Sequence, residues 1–128
     1  MNYHFTKTIN APFDEAVSRV TDELKKEGFG VLTDIDVKAT LKKKLDVEFR
    51  NYRILGACNP PFAYEALQKE DKIGTMLPCN VIVQEKAPGV CEVSAIDPVA
   101  SMMAVENPSL GNVAQQVQAK LKKVIESL

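Results

Sequence analysis

The stretch "LPCNVIVQEKAPGVCEVSAI", residues 77–96, decides the fold. "LPCNVIVQE" reads as a strand, "KAPGV" turns the chain, and Val90 to Ile96 return it as a partner, which makes the stretch an antiparallel hairpin. Pro78 has no backbone N–H to give a ladder, so it confines the start of the first strand to a sheet edge or an unpaired position.

Upstream, residues 49–58 read as a third strand, with Tyr52 and Ile54 on the same face as Cys58. Asn59-Pro60 then starts a helix through Ala63, Ala66 and Leu67. Asn is expected to cap an orphan amide, and Pro fills a position with no hydrogen bond to lose. Gly74 closes the connection to the hairpin. Asp97-Pro98 and Asn107-Pro108 repeat the same start signal downstream. Nearer the N-terminus, Tyr3, Phe5 and Ile9 give a weakly alternating strand. A helix follows from Pro12, with Phe13, Val17, Val20 and Leu24 on one stripe and Gly28 as a left-handed cap. Phe29, Val31, Thr33, Ile35 and Val37 alternate as one face of a half-buried strand. Val37, Leu41 and Leu45 predict a short helix whose solvated side carries Lys38, Lys42, Lys43 and Lys44. The last helix carries Leu110, Val113, Val117, Leu121, Val124 and Leu128 at spacings of three and four, with Lys120, Lys122 and Lys123 suited to its C-terminal dipole.

This order predicts an α+β fold, a mostly antiparallel sheet with two long helices packed on one face. No repeat, low-complexity tract or linker divides the 128 residues, so one domain over 1–128 is expected.

Sixteen basic residues balance seventeen acidic ones for a net charge of -1, which leaves no electrostatic footprint for nucleic acid or an anionic membrane. No apolar run suggests a signal peptide or a span, so a cytoplasmic protein is expected, with neither nucleic acid nor membrane as partner. The three cysteines, Cys58, Cys79 and Cys91, have no C-x-x-C spacing. Neither a zinc motif nor a disulfide framework is written here, and no metal site is assigned.

If the strand ending at Cys58 pairs antiparallel with the strand beginning near Leu77, Cys58 and Cys79 meet at one end of the sheet. Cys91 belongs at the other end. Cys58 also precedes a helix start, which favours thiolate. A helix dipole there is worth ~0.3–1 kcal/mol against ~1.4 kcal/mol per pKa unit, so the dipole alone moves the thiol by less than one unit. His4, the sole histidine, would have to serve any Cys-His pair. The adjacent Met102 and Met103 suit an adaptable apolar contact, either core or dimer surface.

"YRILGACNPPFAYEAL" (residues 52–67) with "IGTMLPCNVIVQE" (residues 73–85), preceded by a long helix and "EGFGVLTDIDV" (residues 27–37), resembles the family called domain of unknown function 302. The similarity runs from about residue 3 to the end, and its motif positions are Cys58, Asn59, Pro60, Leu77, Pro78 and Cys79. The resemblance implies an α+β domain similar to the TATA-binding-protein-like arrangement, often a homodimer, and brings no activity or cofactor with it.

Three functions are therefore expected to compete. The first is a homodimeric small-ligand-binding module with its site at Cys58, Asn59, Pro60, Pro78 and Cys79. The second is thiol redox exchange or sulfur transfer through Cys58, with Cys79 as its resolving partner. The third is a structural or regulatory subunit without a small-molecule site.

Overall fold

The computed structural model describes residues 2–128. Its strands are β1 (His4–Asn10), β2 (Gly30–Asp36), β3 (Tyr52–Cys58), β4 (Cys79–Ala87) and β5 (Val90–Ile96). Its helices are α1 (Phe13–Lys26), α2 (Val37–Leu45), α3 (Pro60–Lys69), α4 (Pro98–Ser101) and α5 (Gly111–Glu126). The strands form one sheet in the order β1-β5-β4-β3-β2, every neighbouring pair antiparallel. The fold is α+β, as the element order predicts.

Alternation assigns the faces. Ile9, Leu55, Ala57, Val81, Val83, Cys91, Val93 and Ala95 point to one side and are buried. The long helices cover that side with apolar stripes: Phe13, Val20 and Leu24 of α1 as read from the sequence, with Ala16 buried beside them and Val17 only half-buried, and Val113, Val117, Leu121 and Val124 of α5. The two helices also touch each other. Lys7 of β1 donates to the carbonyls of Glu126 and Leu128, satisfying two acceptors at the end of α5.

Gly28 ends α1 as expected. With φ +86° it closes a Schellman motif, in which the Phe29 amide bonds to the Leu24 carbonyl at 2.9 Å and its own amide to the Lys25 carbonyl at 3.1 Å. The hairpin turn uses Gly89 in the same region of backbone space, at φ +73°.

Four details differ from the sequence expectation. First, the alternation of Phe29, Val31, Thr33, Ile35 and Val37 does not run through on one face. A bulge between Val31 and Thr33 leaves Val31 opposite Ala57 on the helix side and puts Thr33 opposite Gly56 and Ile35 opposite Ile54 on the other side. An extra residue inverts every later side chain because the strand period is two. Second, β2 is an outer strand and mostly exposed rather than half-buried, since no helix reaches over it fully. Third, α2 buries none of its residues, and Leu45 at its end is exposed. Its lysines lie on a solvated face, where Lys42 pairs with Asp46 at 2.8 Å and Glu48 at 3.0 Å. Fourth, Leu110, read as the start of the last helix's stripe, falls in a 3₁₀ turn before α5; the short helix expected after Asp97-Pro98 is the four-residue α4. Pro78 stands just before β4, itself an interior strand, and the Leu77–Pro78 peptide is cis.

Gly56 shows what the bulge demands. A Cβ there would lie 2.1 Å from Thr33 Oγ1 and 2.7 Å from Pro78 Cγ, so Thr33 and Pro78 occupy the space any other residue would fill. Gly56→Ala is therefore expected to cost roughly 1–3 kcal/mol by overpacking and to lower Tm by roughly 3–10 °C, read from a thermal melt. An unchanged melting curve would show that this packing is not as tight as described.

Candidate functional site

The end of β3 and the start of β4 lie side by side because Ala57 pairs with Cys79. Cys58 comes one residue beyond that pair, so both thiols reach the same end of the sheet. The sequence motifs C-N-P and L-P-C are thus brought together, and Cys58, Asn59, Leu77, Pro78 and Cys79 from them line one cleft with Phe29, Phe62, Ala66, Val113 and Val117. The cleft has a volume of about 280 Å³, near the lower end of the range of roughly 300–1,000 Å³ typical of ligand pockets.

Most of its wall comes from four places, with Phe29, just before β2, and Leu32 of β2 added. The sheet gives Ala57, Cys58, Pro78 and Cys79; α3 gives Phe62, Ala63, Ala66 and Leu67; α5 gives Val113, Ala114 and Val117; and the α4 segment gives Pro98 and Met102. Small residues on the facing sides of α3 and α5 leave the gap open. At the mouth, Leu32 is 68% exposed and Leu67 is 43% exposed, which extends the apolar surface into solvent. No Asp, Glu, Lys, Arg or His is among the lining residues.

Asn59 differs from its sequence expectation. It precedes α3, but its side chain caps no amide of that helix. Its Nδ2 instead donates to the Glu27 carbonyl at the end of α1, at 3.1 Å. Two prolines explain part of this. Pro60 and Pro61 occupy the first turn and have no N–H, so little remains there to cap. The side chain is free to close the end of another helix, and Asn59 is only 8% exposed. Pro60 itself is exposed and lies outside the lining.

The thiols differ from one another. Cys79 is buried on the helix side of the sheet, and desolvation, with the Cys58 thiol adding to it, pushes its pKa up to about 11. Cys58 is half-buried, and all three cysteines are free. Cys91 sits toward the opposite end, opposite Ile9, where burial first and Glu85 second raise its pKa. Its Sγ donates to the Ala11 carbonyl at 3.4 Å.

His4 does not approach the cysteines. It lies on β1, at the far edge of the sheet from β2, with Nδ1 2.6 Å from Thr6 Oγ1. Among the described residues, no group of three or more His, Cys, Asp and Glu side chains is placed to hold a metal ion. Met102 lines the cleft and Met103 is exposed. Sequence reasoning missed the α5 wall and the Leu32 rim. Val113, Ala114 and Val117 read as ordinary core stripe, and only the alanine among them signals a gap.

No helix of the described residues is long and apolar enough to cross a membrane. The family model described as "Domain of unknown function DUF302" matches residues 5–128. A crystal structure of an uncharacterized conserved protein DUF302 from Bacillus stearothermophilus is similar at TM-score 0.90 and 27% sequence identity, covering 98% of each chain. No curated protein matches.

The raised Cys79 pKa ties stability to pH. An unfolded cysteine loses its proton at about pH 8.5, whereas Cys79 keeps it to about 11 when folded. Between those values the unfolded chain holds fewer protons, so stability is lost as pH rises. Urea titrations from pH 8 to 11 are expected to show the native protein losing about 2–3 kcal/mol more than Cys79→Ala across that window. Parallel curves for the two proteins would contradict the buried, protonated thiol.

Proposed function

The chain belongs to the DUF302 family, and from that premise and the cleft we propose that it is a binding module for a small apolar molecule, held between α3, α5 and the Cys58/Cys79 end of the sheet. The single observation that carries this is an open cleft whose lining is apolar and free of charged side chains. Enclosing an apolar ligand there removes its surface and that of the lining from water, worth about 25 cal/mol per Å² before the costs of association.

Two features favour binding over thiol chemistry. A resolving cysteine must attack as thiolate. Cys79, with its pKa at about 11, would be overwhelmingly protonated near neutral pH. No histidine, lysine or arginine lines the cleft to draw a proton from Cys58 or pair with its thiolate. In this reading both sulfurs are polarizable wall atoms.

The neutral fluorophore N-phenyl-1-naphthylamine tests the proposal. Its emission is expected to rise saturably with the native protein, and at a hundredfold excess over Kd it should stabilise the fold by about 2.7 kcal/mol. Ala63→Phe, which places a ring in the cleft from α3, should abolish the rise while the protein still melts cooperatively. No emission change with the native protein, or equal binding by folded Ala63→Phe, would sink the proposal.

A further inference from the structure

Among the residues lining the apolar cleft, Asn59 alone carries an amide side chain. Glu27 offers a carbonyl oxygen, which can only accept, so the atom of Asn59 facing it must be Nδ2. Oδ1 therefore points elsewhere, and among the described residues no hydrogen bond engages it. Every side-chain nitrogen or oxygen sealed from solvent in the described residues is bonded, so the unbonded Oδ1 must be open to contact from outside. The residue is 8% exposed and lines the cleft. An acceptor almost enclosed by protein and still unpaired loses its water when an apolar molecule fills the space beside it, and that loss is costly unless the molecule donates to it.

We infer that the ligand is uncharged and has one hydrogen-bond donor, a hydroxyl or an amine N–H, at the end of an apolar body, and that the donor bonds to Asn59 Oδ1. This rests on the binding proposal above and names its ligand class. A carboxylate or phosphate finds no cation in the lining. The start of α3 would be a favourable place for an anion, but its prolines weaken it as one. Pro60 and Pro61 have no N–H, and the Ala63 amide already bonds to the Asn59 carbonyl at 3.0 Å. Only the Phe62 amide is left of the donors that a helix start ordinarily offers. An ionised head would be desolvated against one N–H, which does not compensate its burial.

The test is competition against N-phenyl-1-naphthylamine by four molecules of one ring system: naphthalene, 1-naphthol, 1-methoxynaphthalene and 1-naphthoate, near neutral pH. The expected order puts 1-naphthol about five- to tenfold tighter than naphthalene and 1-methoxynaphthalene, the span of one neutral hydrogen bond. The anion 1-naphthoate should bind at least tenfold more weakly than 1-naphthol. In folded Asn59→Leu the affinity ratio of 1-naphthol to naphthalene should fall to about one, whatever the change in the absolute affinities of both. The methyl ether accepts but cannot donate, so the comparison on the native protein decides the matter even if Asn59→Leu does not fold.

Equal affinity of 1-naphthol and its methyl ether would overturn the inference and leave the apolar cleft standing. So would a preference for 1-naphthoate, a hydroxyl advantage that survives in folded Asn59→Leu, or failure of all four to displace the fluorophore. Failure of the fluorophore itself to bind would overturn the binding proposal and this inference together.

Discussion

The hydrogen bond from Asn59 Nδ2 to the Glu27 carbonyl fixes where one helix begins relative to where another ends. That carbonyl stands at the C-cap of α1, where acceptors lack intrahelical partners, and a buried one left unpaired costs on the order of 1–3 kcal/mol. Gly28 makes room for the bond: a Cβ there would come within 3.2 Å of Nδ2, and its φ of +86° disfavours a side chain in any case. The bond joins the two ends of the segment containing β2, α2 and β3, so α3 leaves the sheet at a set place beside α1. From that place α3 meets α5, and residues of both helices line the cleft beside their contact. The cleft is thus a product of backbone satisfaction at the end of α1 as much as of side-chain size.

Much of this was legible in the sequence, and the parts that were not have definite reasons. The stripes of α1 and α5 repeat over three or more turns, and the hairpin carries its own turn signal, so these elements and the α+β class follow from local pattern. Strand order alone brought Cys58 and Cys79 to one end of the sheet, because antiparallel pairing puts the end of one strand at the start of the next. The β2 bulge escaped because alternation from Phe29 to Val37 looks unbroken. Only the pairing of Thr33 with Gly56 reveals the shift, and pairing is not local. Asn59 was assigned the cap of its own helix because sequence shows the residues after it. The carbonyl it serves is thirty-two residues earlier in the chain. The α5 wall was hidden because residues facing a cleft and residues facing a core obey the same period.

Depth in the sheet governs the chemistry of the cysteines. Cys79 and Cys91 both point to the helix side, and both have thiol pKa values raised chiefly by loss of water. Proximity of two sulfurs is often taken as a sign of redox exchange, yet mutual approach without a cation or base makes ionisation harder. The Cys58 thiol adds to the upward shift of Cys79 rather than opposing it. An apolar wall and a reactive thiolate ask opposite things of the same site, and the buried Cys79 meets the first demand.

The other face of the sheet sharpens the contrast. Neither long helix lies on it, and several of its polar side chains are matched to each other: Thr6 with Ser94 at 2.8 Å, Arg50 with Gln84 at 2.9 Å, and Gln84 with Glu92 at 3.4 Å. The Arg50 guanidinium also lies over the Phe49 and Tyr52 rings, at 4.5 and 5.6 Å from their centroids. Groups paired in this way keep their partners whether the face is wet or covered, so the face places no demand on what lies against it. The cleft is different in kind, because its apolar walls gain from any body that excludes water, and on the inference above the Asn59 amide oxygen penalises a body that brings no donor. An uncovered surface of the first sort tolerates many neighbours, whereas a surface of the second sort discriminates among them by chemistry. On the proposed reading, selectivity belongs at the end of β3 and the start of α3, where Asn59 brings an amide to an otherwise apolar lining.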